Sequence, residues 1–316
     1  MNEQTKQSLI ERVCRGIAAN RVPGLHFPGY FLGLHARGMD MSEAWTAIPY
    51  GPHCANANGD MNIAAIALLA DMGPGAAMRM HLPVASRMAT ATLQMQFTGI
   101  PVRSDLECHA RFDGFFEGAS AVQGRTSGRL IADGKVACHA VCTFATPPTP
   151  PGTTLVPVPW AAMEQLPPPL AGREMAVDEK SILKSARAAL KAADAGVGDK
   201  RAFIEHLWAQ IAKPRAIEKG GGADNTVRIG PHIGNRVGHV QGGVMVGIAA
   251  ASAVAALPAN ARLTGASAWY ISAGMGKSLR VRSRILQQGR TIAVVRTEVI
   301  GDNRRRVLEL VSSHAF

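Results

Sequence analysis

Gly51-Pro52-His53-Cys54-Ala55-Asn56-Ala57-Asn58-Gly59 returns as Gly230-Pro231-His232-Ile233-Gly234-Asn235-Arg236-Val237-Gly238, five identities in nine positions at an offset of 179 residues. Each copy of this G-P-H-x-x-N-x-x-G pattern runs into an apolar stretch with few charges, Met61 to Ala70 and Val244 to Leu257. The same signal before the same kind of segment is the mark of a repeated architecture, so the chain reads as a tandem of two related domains. Its 316 residues are enough to give each domain a core of its own.

The order of elements supports the repeat. Glu3 to Ala19 places Leu9, Ile10, Val13 and Ile17 on one side of a helix. A strand candidate, Glu43 to Pro49, precedes the first motif. After the first apolar helix come four strand-like segments, Ala89 to Phe97, Asp105 to Phe112, Ala119 to Ile131 and Lys135 to Ala145, punctuated by glycines and the Ala132-Asp133-Gly134 turn. The proline-rich segment 147–177 reads as a semi-rigid linker, with domains at 1–146 and 178–316. The second half then repeats helix, strand, motif, apolar helix and four strands, with Tyr270 standing where the first half has Phe97. A helix apolar on nearly all sides must be wrapped, and a curled antiparallel sheet is the available cover. The expected fold class is α+β, with a long central helix inside a curved antiparallel sheet in each half, near residues 60–72 and 242–256.

Composition bounds the function classes. At 47% hydrophobic and 18% charged the chain is a folded protein. A polar opening without a signal-peptide pattern, no apolar run of membrane-spanning length, and five cysteines without a C-x-x-C point to a reduced, cytoplasmic protein with no membrane partner. The net charge of +11 fits a phosphate-bearing ligand or a solvated basic face; part of it lies in Arg280, Arg282 and Arg284, which alternation puts on one side of a strand, and in the Arg304-Arg305-Arg306 turn. No helix-turn-helix, zinc-finger or aromatic RNA motif accompanies that charge, so no nucleic-acid partner is expected. No metal-ligand spacing is present, and no cofactor or metal is expected.

The second copy, written on from its asparagine, is Asn235-Arg236-Val237-Gly238-His239-Val240-Gln241-Gly242-Gly243. It resembles the N-x-x-G-x-x-H-G-G signature of hotdog-fold acyl-CoA thioesterases of the phenylacetate-pathway type. In that family an acid in a L-A-D string follows seven residues after the second glycine. Here Gln241 stands for the histidine and Ala250 for the acid. The first copy holds the complement: at the 179-residue offset Asn62 matches Gln241, Ile63 and Ala64 match the glycines, and Leu69-Ala70-Asp71 supplies the acid.

The resemblance implies two fused hotdogs packed side by side, with each site shared between the glycine turn of one and the helix acid of the other. One working site would then combine Asp71 with Asn235, Gln241, Gly242 and Gly243. Its mirror would set Asn56, Asn62, Ile63 and Ala64 against Ala250, with no acid. The expected roles are Asp71 as general base or nucleophile, the Gly243 N–H as oxyanion donor at a helix N-terminus, Asn235 as orienting residue and Gln241 as brace. On this reading Gly242 and His239 contact substrate, and valine at position 243 would block approach of the carbonyl. Apolar neighbours should raise the Asp71 pKa. The implied partner is an acyl-CoA, with a homo-oligomer of double-hotdog chains as a further expectation.

Two alternatives stay open. Gly59-Asp60-Met61-Asn62 is similar to the opening of the G-D-x-N-P-x-H hydratase signature, but Ile63 and Ala65 replace its proline and histidine. A non-catalytic tandem that binds acyl-CoA is the other. His53 and His232, shared by both copies, read as structural.

Overall fold

The computed structural model describes residues 1–83, 86–117, 122–148, 166–195, 201–208, 213–215 and 221–316. The elements are α1 (Glu3–Ala19), α2 (Phe27–Leu32), β1 (His35–Met39), β2 (Ala44–Ile48), α3 (Ile63–Arg79), β3 (Ala89–Phe97), β4 (Leu106–Glu117), β5 (Val122–Ala132) and β6 (Lys135–Ala145), followed by α4 (Val177–Ala195), α5 (Phe203–Leu207), β7 (Lys213–Arg215), β8 (Gly222–Arg228), α6 (Gly242–Ala255), β9 (Arg262–Tyr270), β10 (Ser278–Gln288), β11 (Ile292–Gly301) and β12 (Arg306–Ala315). Most of the expected proline-rich linker, 149–165, lies outside the described residues.

All strands join one antiparallel sheet in the order β1-β2-β4-β5-β6-β3-β9-β12-β11-β10-β8-β7. Read from the centre outward, the two halves are the same series: β3 matches β9, β6 matches β12, and so on to β1 and β7. The register makes the match residue by residue. Leu93 pairs Ala268 and Met95 pairs Ala266 at the central seam, an exchange that relates the two strands by a two-fold at an offset of 173. The bulge at Ala91 in β3 recurs at Thr264 in β9, and that at Asp113 in β4 recurs at Leu286 in β10. A bulge re-aims the strand, so matched bulges bend both half-sheets alike around their helices.

Each half-sheet wraps one apolar helix, α3 in the first and α6 in the second, as the repeat implied. The helices run antiparallel and touch backbone to backbone. A side chain on Gly243 would lie 2.6 Å from the Leu68 nitrogen and 2.7 Å from the Ala67 carbonyl; one on Gly247 would lie 2.9 Å from the Ala64 nitrogen. Leu68 against Gly243 and Ala64 against Gly247 are two-fold images of each other.

The first central helix is longer than the sequence indicates. It passes through Gly73-Pro74-Gly75 and ends at Arg79. Pro74 has no N–H to give the Ala70 carbonyl one turn back, which ordinarily breaks a helix. The Cys142 thiol donates to that carbonyl at 3.3 Å. Gly73 lies where any side chain would strike Cys108 Sγ and Thr46 Oγ1, at 2.7 and 2.9 Å. The helix therefore continues because the sheet covers its fault, and Asp71 stands in mid-helix, buried, rather than at an exposed end. Four short elements carry no sequence signal: α2, capped by the His26 side chain, β1, and their counterparts α5 and β7.

Arg280 and Arg284 lie on the outer face of β10, while Leu279, Val281 and Ser283 point inward. Arg280 pairs Asp224 at 2.6 Å, and Arg296 and Arg306 meet Glu298 and Glu309 across the sheet. Such exposed pairs contribute little to stability. All five cysteines are buried and free. Among the described residues no helix is long and apolar enough to cross a membrane.

Candidate functional site

The N-x-x-G loop is built the same way in both copies, and its asparagine is spent on the loop. Asn235 Oδ1 accepts from the N–H groups of Val237 and His239, at 3.1 and 2.9 Å. Asn56 Oδ1 does the same for Asn58 and Asp60. Gly59 and Gly238 close the loops at φ +79° and +77°, a left-handed conformation that glycine adopts without strain. The structure thus gives Asn235 a turn-forming role, and among the described residues it makes no hydrogen bond to Asp71. Arg236 fastens this loop to the end of α1 through the carbonyls of Asn20, Val22, Gly24 and Leu25. The loops deliver the chain to two helix caps. Asn62 Oδ1 caps α3 on the Ala64 N–H at 2.9 Å, and Gln241 Oε1 caps α6 on the Val244 N–H at 2.8 Å.

Glutamine is one methylene longer than asparagine, and its free amide reaches across to the other helix. Gln241 Nε2 donates to Asp71 Oδ2 at 3.0 Å. From the other side Thr90 Oγ1, on β3, donates to Asp71 Oδ1 at 2.7 Å. The Gly243 N–H is turned toward this carboxylate and helps to lower its pKa. The antiparallel helix register accounts for the meeting: with Leu68 opposite Gly243, the next turn of α3 brings Asp71 level with Gln241. Burial pushes the Asp71 pKa up to about 6, and the Thr90, Gln241 and Gly243 hydrogen bonds hold it from rising further.

The two glycines have different jobs. Gly243 is buried against the backbone of α3, so its lack of a side chain is a packing requirement. Gly242 is half-exposed. A side-chain carbon there would lie 3.0 Å from Asp71 Oδ2 and 3.2 Å from Tyr270 Oη, so glycine at this position keeps side-chain atoms off the carboxylate and the hydroxyl. The structure therefore brings Asp71, Gln241, Gly242 and Gly243 together across the two halves. It leaves His239 half-buried one loop away, with its pKa lowered by burial and then by the nearby Arg87. Thr90 and Tyr270 were not singled out as site residues from sequence. Their one advance signal is that their two-fold partners, Leu263 and Phe97, cannot hydrogen bond through their side chains.

The mirror position confirms how one-sided the chain is. There Ala250 replaces Asp71, Leu263 replaces Thr90 and Phe97 replaces Tyr270, leaving Asn62 as the polar side chain of that set. Asn62→Ala removes a cap and should cost about 0.5–2 kcal/mol of stability. On the thioesterase resemblance of the sequence, turnover should stay within twofold, read by thiol release alongside thermal melting.

No protein-family model and no curated protein matches this sequence. Solved structures do match in shape. A putative oleoyl thioesterase from Lactobacillus plantarum is 9% identical, covering 87% of this chain and 97% of its own, with a TM-score of 0.53. A TesB protein from Mycobacterium avium subsp. paratuberculosis is 11% identical, covering 89% and 95%, at 0.50. A protein of unknown function with a hot dog fold, from Alicyclobacillus acidocaldarius, is 10% identical, covering 88% and 94%, at 0.49. Identities this low speak to architecture alone. The chain has the double-hotdog fold: two helix-and-sheet units joined edge to edge in a single antiparallel sheet.

Proposed function

We propose that the chain is an acyl-CoA thioesterase with one working site, at Asp71. The observation that carries this reading is the Asp71 carboxylate, drawn from one half against the first turn of α6 in the other and fixed on both oxygens. A carboxyl poised near pH 6 is ionised at neutral pH yet basic enough to take a proton from water. Asp71 accepts that proton as the water oxygen attacks the thioester carbonyl carbon. The C–S bond then breaks, and the proton passes to the departing thiolate, giving acid and free thiol. Nucleophilic attack by Asp71 itself would give the same products through an anhydride.

The names of two of the matching structures, a putative oleoyl thioesterase and a TesB protein, agree with this chemistry. Gln241 fits it as well: an amide braces Asp71 without adding a second titrating group, where histidine would. The hydratase reading finds no second acid–base residue, since Ala65 is buried in α3. We place His239 and Arg87 at the entrance, where they would face the polar part of the CoA.

Release of free thiol from a panel of acyl-CoAs, followed with a thiol reagent, tests the proposal. For a substrate that is turned over, kcat/KM should rise tenfold per pH unit up to about pH 6 and stay level above it. The other titrating groups facing Asp71, Cys142 and Tyr270, are both pushed up by burial and stay protonated over that range. A limb near 4, or a second ionisation near 6.5, would remove Asp71 from the role. No thiol release from any acyl-CoA would leave the ligand-binding reading.

A further inference from the structure

Donors at the α6 turn can be followed one by one. The Thr90 hydroxyl and the Gln241 amide donate to Asp71, and the Gly243 N–H is turned toward the same carboxylate. The Val244 N–H is taken by Gln241 Oε1, and the Met245 N–H by the Gln241 carbonyl. The Gly243 N–H, the oxyanion donor expected from sequence, therefore faces the base. Among the described residues one side-chain donor at this turn remains unspent: Tyr270 Oη is buried and makes no hydrogen bond within the protein. A buried hydroxyl without a partner costs free energy, and a native site that keeps one is a place where a ligand atom belongs.

Its position is the right one. A side chain on Gly242 would lie 3.2 Å from Tyr270 Oη and 3.0 Å from Asp71 Oδ2, so the hydroxyl and the carboxylate converge on the same side of Gly242. A reacting thioester needs this pairing, a base and a donor for its oxygen presented from neighbouring elements. Gly242 is also the first residue of α6, and its N–H has no intrahelical acceptor. At the mirror position the ring is Phe97, without a hydroxyl, beside Ala250, without an acid.

We propose that Tyr270 is a catalytic residue whose hydroxyl, with the Gly242 N–H, holds the thioester carbonyl oxygen and stabilises the oxyanion that forms there. This rests on the thioesterase reading. Tyr270 donates a hydrogen bond and transfers no proton: the carbonyl π pair moves to oxygen as water attacks, and returns as the thiolate leaves. Burial beside Asp71 keeps the phenol protonated well beyond neutral pH.

Tyr270→Phe tests it, and Phe97 in the equivalent setting shows that the fold accepts the ring without its oxygen. kcat should fall about 10²–10³-fold, the usual loss for one oxyanion donor. KM should be little changed, the melting temperature should hold or rise, and the acidic limb should stay near 6. A stable ketone analogue of an acyl-CoA, with methylene in place of sulfur and a ¹³C-labelled carbonyl, gives a second readout. Its infrared stretch should be lowered on binding to wild type, and that shift should be lost in Tyr270→Phe.

Full activity in Tyr270→Phe overturns the proposal while leaving the thioesterase reading intact. So does a loss of activity with a displaced pH limb and an unchanged carbonyl stretch, which would mean that Tyr270 only positions Asp71. Should wild type hydrolyse nothing, the ketone still decides: a stretch that differs between the two proteins supports Tyr270 as the carbonyl donor, and an equal one overturns it. Failure of the ketone to bind overturns both readings.

Discussion

Asp71→Asn is expected to lower kcat/KM by about 10²–10⁴-fold, the range for removing a general base, with the melting temperature within a few degrees of wild type. The activity term follows from chemistry: an amide of the same shape cannot take a proton from water near neutral pH. Asp71 has a pKa of about 6 in the folded protein against 3.8 as a free side chain. The native state therefore holds an extra proton between about pH 4 and 6. Stability is higher below that window and falls as the pH rises through it. Above pH 6 the buried charge costs about 3 kcal/mol, at about 1.4 kcal/mol per pKa unit.

Asparagine removes that charge and keeps an oxygen for Thr90. It also turns an NH2 toward two donors, Gln241 Nε2 and the Gly243 N–H, which offsets much of the gain. A melting curve and a thiol-release assay on the same preparation separate the two effects. Retained activity in Asp71→Asn would show that the base lies elsewhere. A collapse in stability would show that the carboxylate is a structural anchor.

Gly243→Val should fail at folding, not at chemistry. The sequence reading had valine there blocking the approach of the thioester carbonyl. The structure puts the α-hydrogens of Gly243 against the backbone of α3, where a Cβ would press on Leu68 and on the Ala67 carbonyl, and backbone cannot step aside. Parting α3 from α6 would open the central core and also draw Asp71 away from Gln241. A loss of about 4 kcal/mol or more is expected, a melting temperature lower by roughly 10 °C, or no soluble protein.

Gly242→Ala is the contrasting change. Its added methyl meets Asp71 Oδ2 and the Tyr270 ring, the ends of side chains, so activity should suffer far more than stability. If the two substitutions had matching stability profiles, the assignment of packing to one glycine and access to the other would be wrong.

Sequence was enough to show the internal repeat, the two central helices, and the placing of acid and glycine turn on opposite copies. These are legible because each is local: a repeated nonapeptide, a run of apolar residues, a Gly-Gly pair beside a capping side chain. It also determined that Asp71 would sit among apolar neighbours, since Leu68, Leu69, Ala70 and Met72 are its own chain. What it could not determine depends on how the chain closes on itself in three dimensions. Pro74 reads as a helix breaker until Cys142, far along the chain, is seen to satisfy the carbonyl that proline strands. Asn235 reads as a site residue until its side-chain oxygen is followed back into its own loop. Thr90 and Tyr270 stand on two different strands, 180 residues apart, and neither local sequence marks them. Only the closing of β3 on α3 sets Thr90 beside Asp71, and only the packing of the second half against the first brings Tyr270, because a hydrogen-bond partner is a property of tertiary register and not of the residue that needs it.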